Sequence, residues 1–192
     1  MTAMTATPTH RPPWPGLPRG PMTRDVLDSM PDDGHRYELI DGILIVSPAP
    51  RMVHQRAVVS LVVLLDATCP DDFEVFTAPF DVALADDTVM QPDVLVCRVS
   101  DLTERDLPAA PVLAVEVLSP STRGIDLLLK KDRLQRAGCQ HYWVVDPDVP
   151  ALTAWTLTDG VYTEAASVTG DERLVVSDPY DLELTPNGLV AR

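Results

Sequence analysis

Apolar positions along the chain follow two periods, one typical of strands and one typical of helices. Residues 37–40, which are apolar or aromatic except for Glu38, are separated from the apolar run 43–46 by Asp41-Gly42. Asp-Gly between β-forming residues predicts a hairpin closed by a type I′ turn. Residues 52–67 instead repeat apolar side chains every three to four positions over a broad face, which predicts a helix packed on a sheet.

The remainder of the chain continues this mixture. Gly138 is well placed to end a helix over residues 125–137, and Asp159-Gly160 suits a turn between antiparallel strands. Strand-like runs occupy residues 73–76, 80–84, 94–96, 112–118, 141–145, 152–157, 161–164 and 174–176. The pattern predicts an α/β fold, with a central mixed β-sheet flanked by helices and an antiparallel C-terminal meander.

Proline content separates the first residues from the rest of the chain. Residues 1–21 contain six prolines and no apolar period, which predicts a flexible leader. The total length of 192 residues suits one domain. We expect that domain to cover residues 22–186, followed by a short tail over residues 187–192.

Composition narrows the function classes. The net charge of −14 disfavours indiscriminate binding to nucleic acid or anionic membranes, and it counts against a nuclease. An acidic shell is nevertheless compatible with a local basic groove or a metal site. The three cysteines have no metal-binding spacing, so neither a zinc site nor a disulfide framework is predicted and the cytoplasm is the expected compartment. The longest apolar stretch is too short to span a bilayer.

Two carboxylates lie near the ends of predicted strands. Asp93 follows Pro92, and Glu116 interrupts the apolar run 112–118. If the two strands are neighbours, both carboxylates can face one hard cation such as Mg²⁺, which would generate hydroxide and stabilise charge on phosphoryl oxygens. Alternatively, Asp93 caps local backbone N–H groups at a strand start, and Glu116 faces solvent on an edge strand.

Five further residues are candidates for the same site. Lys130 or Lys131 could stabilise an attacking hydroxide or a scissile phosphate, or could lie on a solvated helix face. Asp126 stands four residues before Lys130, which suits a structural i,i+4 pair. Glu38 is either a third site carboxylate or the outward residue of a two-sided strand. His54, on the flank of the first long helix, is a weaker candidate because a lone helix histidine is usually surface or core.

Sequence signatures of several other enzyme classes are absent. The chain has no Walker A loop, G-x-G-x-x-G, H-E-x-x-H or G-x-S-x-G. Ser119 and Ser121 flank a proline, and no histidine has a spacing that nominates it as their base. A serine hydrolase is therefore not predicted.

A series of motifs carries a resemblance to a known family. In order, they are Tyr37-Glu38-Leu39-Ile40-Asp41-Gly42, His54, Pro92-Asp93-Val94, Glu116-Val117-Leu118-Ser119-Pro120-Ser121-Thr122, Asp126, Lys130 and Tyr142-Trp143-Val144-Val145-Asp146-Pro147. Together they resemble the Uma-type family of bacterial restriction endonucleases, within the PD-(D/E)xK nuclease superfamily, over about residues 22–186. The resemblance implies a restriction-endonuclease-like core, metal ligation by Asp93 and Glu116, and Glu38 as an additional acidic residue. Leu118 stands where the superfamily places its lysine, and Lys130 is the matching position here.

The leading hypothesis is a Mg²⁺- or Mn²⁺-dependent endonuclease that acts on DNA as a homodimer, since cutting two strands favours paired sites. One alternative is a catalytically inactive nuclease-fold binding or scaffold protein, and another is a phosphodiesterase acting on small nucleotides. The acidic charge and the absence of a dense basic cluster favour the alternatives. The cations that could form a groove are Arg98, Arg123, Lys130, Lys131, Arg133 and Arg136.

Overall fold

The computed structural model describes residues 20–191, so the predicted leader lies outside the described residues apart from Gly20 and Pro21. The strands are β1 (Arg36–Ile40), β2 (Ile43–Ser47), β3 (Phe73–Thr77), β4 (Val82–Ala85), β5 (Thr88–Met90), β6 (Val94–Arg98), β7 (Leu113–Val117), β8 (His141–Asp146), β9 (Ala151–Thr158), β10 (Val161–Thr169), β11 (Leu174–Val176) and β12 (Leu182–Leu184). The helices are α1 (Arg24–Asp28), α2 (Met52–Asp66), α3 (Lys131–Ala137) and α4 (Pro186–Val190). A 3₁₀ turn covers Val99–Asp101, and a π-helical segment, Ile125–Lys130, runs directly into α3.

The central sheet is mixed, as predicted. Its six strands follow the order β10-β9-β8-β7-β6-β3, and all neighbours are antiparallel except β7 and β8. A four-stranded sheet has the order β2-β1-β5-β4. The C-terminal run at Leu174–Val176 does not extend the meander beyond β10, because it pairs with β12 in a separate two-stranded sheet. The short strand β5 was not predicted from the sequence.

Alternation along β7 explains how the layers pack. Leu113, Val115 and Val117 join a core cluster that includes residues of α2, while Ala114 belongs to a second cluster on the opposite face of the sheet. That second cluster also holds Ile40 of the four-stranded sheet. Since side chains alternate between faces with a period of two, Glu116 shares the face of Ala114, toward the second sheet. The carboxylate is therefore directed into the space between the sheets.

The first hairpin closes on the predicted turn. Asp41 and Gly42 have φ of 48° and 76°, as a type I′ turn requires at both central positions. Glycine is needed at position 42 for packing as well, because an added Cβ would lie 2.7 Å from the Cβ of Pro21. The backbone N–H of Met22 donates to the carbonyl of Gly42 at 2.9 Å. The turn thus fixes where the chain enters the fold.

Both ends of the described chain are anchored to the body. Arg24 of α1 lies 2.6 Å from Asp106, which also accepts a hydrogen bond from the Thr103 hydroxyl at 2.7 Å. Leu189 of α4 is fully buried in the cluster that contains α2, so α4 extends past the predicted domain end at residue 186. Within residues 20–191, the helices are too short or too polar to cross a membrane.

Candidate active site

The two strand carboxylates lie beside each other. Strands β6 and β7 are antiparallel neighbours with Val94 opposite Val115, a register that places Asp93 beside Glu116. Their exposures are 3% and 0%. Strand β7 lies between β6 and β8, so Glu116 is in the middle of the sheet and not on a solvent-facing edge. Asp93 does bind backbone, but on the neighbouring strand, where its Oδ2 accepts the Val117 N–H at 2.8 Å.

Lys130 enters the same space from the π-helical segment. Its Nζ lies 2.9 Å from Glu38 Oε1, 3.1 Å from Glu116 Oε1 and 3.8 Å from Asp126 Oδ1. The exposure of Lys130 is only 1%. Lys131 points elsewhere, with its ammonium 3.6 Å from the centre of the Trp155 ring. Of the two candidate lysines, Lys130 is therefore the one that meets the carboxylates.

Glu38 comes to the cluster from the four-stranded sheet. It is 1% exposed, and its Oε1 also accepts the backbone N–H of Gln91 at 2.8 Å. The alternative interpretation, in which Glu38 faces outward from a two-sided strand, is therefore wrong. The ion pair between Glu38 and Lys130 joins the two sheets through the cluster.

Arg36 is a residue of this cluster that sequence reasoning missed. Its Nη1 lies 2.7 Å from Asp93 Oδ1, and its Nε lies 3.5 Å from Glu38 Oε2. An arginine at a strand start is usually a surface residue, and the available clue was its position two residues before Glu38, on the same face of β1. His54 of α2 approaches Asp93 from the other side, with Nε2 3.1 Å from Oδ2.

Burial and charge set the ionisation of the cluster. Burial raises the pKa of Glu116 well above its usual range, and the neighbouring carboxylates add to this effect against the opposing charge of Lys130. Burial likewise raises the pKa of Asp126. For Asp93, burial is outweighed by the His54 hydrogen bond and the charges of Arg36 and His54, so its pKa is lowered. The pKa of Lys130 is raised, because Glu116 and Glu38 together outweigh the effect of its burial.

The residues present suit a hard divalent cation in chemistry and in charge. The cluster contains four carboxylates, Glu38, Asp93, Glu116 and Asp126, against the permanent charges of Arg36 and Lys130. Buried oxygens Glu38 Oε2, Glu116 Oε2 and Asp126 Oδ1 have no hydrogen-bond partner. Within residues 20–191, no group of three or more His, Cys, Asp or Glu side chains is arranged to hold a metal ion. Mg²⁺ commonly uses only one or two carboxylates together with waters and phosphate oxygens, so a two-carboxylate site remains a suitable fit.

A cleft of about 750 Å³ opens next to this cluster. Arg36, His54 and Asp93 line it, together with a hydroxyl-bearing wall at Ser119–Thr122. The hydroxyl of Thr122 donates to Asp126 Oδ2 at 2.7 Å, which connects this wall to the buried carboxylates. A bound substrate would thus meet Arg36, His54 and Asp93 first, with Glu116 and Lys130 behind them.

Comparison with known proteins bears on this geometry. The family model Uma2, described as "Putative restriction endonuclease", matches residues 25–187. No curated protein matches the chain. A crystal structure titled as a putative nuclease belonging to DUF820 from Anabaena variabilis is similar in fold, with a TM-score of 0.73 and 20% sequence identity, covering 88% of this chain and 98% of that one.

Proposed function

Because the chain belongs to the Uma2 family, whose model describes restriction endonucleases and covers residues 25–187, we propose that it is a metal-dependent endonuclease hydrolysing DNA phosphodiester bonds. The observation that carries the proposal is the convergence of four buried charged residues beside a cleft. Glu38 and Glu116 come from two strands, Asp93 directly precedes β6, and Lys130 comes from the π-helical segment. Such a concentration of buried charge is costly for stability, and groups of this kind cluster at functional sites.

Asp93 and Glu116 are the proposed ligands of Mg²⁺ or Mn²⁺. When bound, the cation would supply an activated water and would stabilise negative charge on the phosphoryl oxygens. Glu116 Oε2 has no other hydrogen-bond partner, and an all-oxygen donor set suits these two metals. Asp93 is held ready for ligation by Arg36 and by the backbone of Val117, which fix both of its oxygens.

Lys130, Glu38 and Arg36 would contact the attacking water and the phosphate. Hydrolysis joins the oxygen of water to phosphorus and breaks the bond from phosphorus to the leaving sugar oxygen, which takes up a proton. Lys130 stabilises or orients the attacking water, and Glu38 supports the metal or that water while fixing the ammonium at 2.9 Å. Arg36, which lines the cleft with a side-chain exposure of 20%, is placed to meet the scissile phosphate.

The test is cleavage of negatively supercoiled plasmid with Mn²⁺ or with EDTA, using wild type, Glu116→Gln and Lys130→Met. Lys131→Met is the matched control, since that lysine lies outside the cluster. We expect nicking that requires metal, persists in the control and is lost in both cluster variants. Circular dichroism checks that each variant is folded, and calorimetry with Mn²⁺ gives a second readout independent of activity.

Inert wild type that also takes up no Mn²⁺ would refute the endonuclease and favour a binding or scaffold protein that retains the fold. Cleavage of small phosphodiesters without cleavage of plasmid would favour the phosphodiesterase alternative. We further propose that the active form is a homodimer, because two-fold symmetric dimers are by far the commonest oligomers of soluble proteins. Sedimentation equilibrium tests this, and a monomer at working concentration would contradict it.

A further inference from the structure

Almost all cations among residues 20–191 are paired with carboxylates of the same chain. Between residues 20 and 191, every lysine and arginine except Arg56 and Lys131 lies within 4.0 Å of a carboxylate oxygen. The predicted groove residues are included, since Arg98 pairs with Asp72 and Arg123 pairs with Asp146. Arg133 and Arg136 both pair with Asp41. The described chain therefore presents no basic stripe along which a duplex could lie.

The cleft likewise contains both acidic and basic side chains. Its charged lining consists of Asp28, Asp32, Asp81 and Asp93 against Arg36 and Arg51. A duplex-binding protein typically neutralises several phosphates at once, which a lining with two arginines cannot do. Arg36 and Arg51 are themselves paired, with Asp93 and Asp148, so a phosphate would have to share or replace those contacts. One or two phosphates are therefore the most that this lining can bind.

The remaining lining favours a base and a sugar. Met30, Pro48, Pro50 and Pro79 give apolar surface, against which one face of an unpaired base can be buried. The wall at Ser119–Thr122 adds hydroxyl groups to the lining. The volume of about 750 Å³ falls within the range of roughly 300–1,000 Å³ that is usual for small-molecule sites.

We infer that the cleft takes one or two nucleotides of a single DNA strand, and that unpaired rather than duplex DNA is the substrate. This inference rests on the proposed function, because it specifies the substrate of the same site. One phosphate would lie at Arg36, next to Asp93, and the adjoining base would pack on the apolar wall. Duplex DNA would then be attacked only where its strands separate, as in a negatively supercoiled plasmid.

The experiment measures binding by fluorescence anisotropy with a labelled single-stranded decamer and with a hairpin duplex of the same sequence. Measurements in EDTA and in Ca²⁺ are repeated over a range of salt concentrations. We expect the single strand to bind at least about tenfold more tightly than the hairpin, since only an unpaired base can be buried on the apolar surface. The slope of log K against log salt should lie between about −0.7 and −1.4, as for one or two phosphates of a single strand.

Two pairs of matched variants test whether single-stranded DNA binds in the cleft. Arg51→Ala removes an exposed cleft arginine and should make the salt slope shallower by about 0.7. Arg123→Ala removes an equally exposed arginine that is also paired but lies outside the cleft, and it should leave the slope unchanged. Met30→Ala should weaken binding of the single strand by about fivefold or more, whereas Met52→Ala, on an exposed methionine outside the cleft, should not.

Equal or tighter binding of the hairpin, a slope steeper than about −4, or no binding of either probe would overturn the inference. These outcomes are separable from failure of the proposed function. Plasmid cleavage without a preference for single strands would leave the endonuclease standing and remove the substrate assignment. Tight binding of the single strand without any cleavage would support the preference for unpaired DNA and count against the endonuclease.

Discussion

Replacing Lys130 with methionine should destabilise the protein more than any ordinary surface change. The substitution keeps most of the side-chain volume but leaves Glu38 Oε1 and Glu116 Oε1 without the ammonium that lies 2.9 and 3.1 Å away. Removing one partner of a buried ion pair typically costs about 3–5 kcal/mol. Total stabilities of domains are about 5–15 kcal/mol, so the loss is a large fraction of the whole.

The assay is urea unfolding at neutral pH, followed by tryptophan fluorescence. With an m-value of about 2 kcal/mol/M, a loss of about 4 kcal/mol lowers the midpoint by about 2 M. Lys131→Met is the control, because this lysine only covers the Trp155 ring at 3.6 Å, a contact worth about 0.5–1 kcal/mol. A Lys130 variant that loses no more free energy of unfolding than the control would refute the reasoning.

The pH dependence of that loss gives a second check. Burial already raises the pKa of Glu116 in the wild type against the opposing charge of Lys130, so removal of the lysine raises it further. A group that holds its proton only when folded makes stability fall as pH rises from its ordinary pKa to its raised one. Wild type and Lys130→Met should therefore lose stability in parallel up to the raised pKa of Glu116 in the wild type, and the difference between them should widen only above it. A difference that does not widen there would contradict the assignment of the cost to uncompensated carboxylates.

Three further predictions follow from other parts of the fold. Burial raises the pKa of Cys97 to about 12 and that of Cys139 to about 11, so neither thiol should react with Ellman's reagent at neutral pH until the protein is unfolded; rapid reaction in the folded state would contradict this. Gly42→Ala adds a steric clash to the strain of a positive φ, whereas Gly34→Ala, with φ of 83° and open space around it, adds strain alone. Gly42→Ala should therefore lower the free energy of unfolding by more than the roughly 1 kcal/mol expected for strain alone. Equal decreases in Tm for the two variants would exclude the clash. Burial opposes the effect, but hydrogen bonds from Thr103 and Arg24 and the charge of Arg24 lower the pKa of Asp106. Its contribution to stability is therefore present above its ordinary pKa and is lost as pH falls through the lowered pKa. Asp106→Asn should make stability depend less steeply on pH in the acid range, and an unchanged acid range would refute this.

Much of the site could be predicted because its residues interrupt local patterns. Glu116 stands out within an apolar strand, and Pro92 marks Asp93 as a strand start, so both carboxylates were identified from periodicity. The choice between Lys130 and Lys131 could not be made in the same way. Their positions on a regular helix differ by one residue, and the sequence pattern does not predict the π-helical geometry of Ile125–Lys130.

Arg36 and the second sheet show where sequence patterns stop being informative. Arg36 contacts Asp93, 57 positions away in the chain, and the alternation that puts Arg36 on the same face as Glu38 does not indicate that contact. Strand β5 has only three residues and pairs with β1 through Leu39 and Val89. A segment so short is stabilised by its neighbours rather than by its own propensity. Contacts between distant segments decided both features.

The ion pairs of Lys130 with Glu38 and Glu116 also bear on how the molecule folds. Glu38 belongs to the first hairpin, whereas Glu116 lies in the central sheet, so the cluster is complete only after the two sheets have docked. Contacts that form after the folding transition state slow unfolding without speeding folding. We expect the ion pairs of this cluster to form after the folding transition state. Their removal would then raise the unfolding rate and leave the folding limb of a chevron plot largely unchanged.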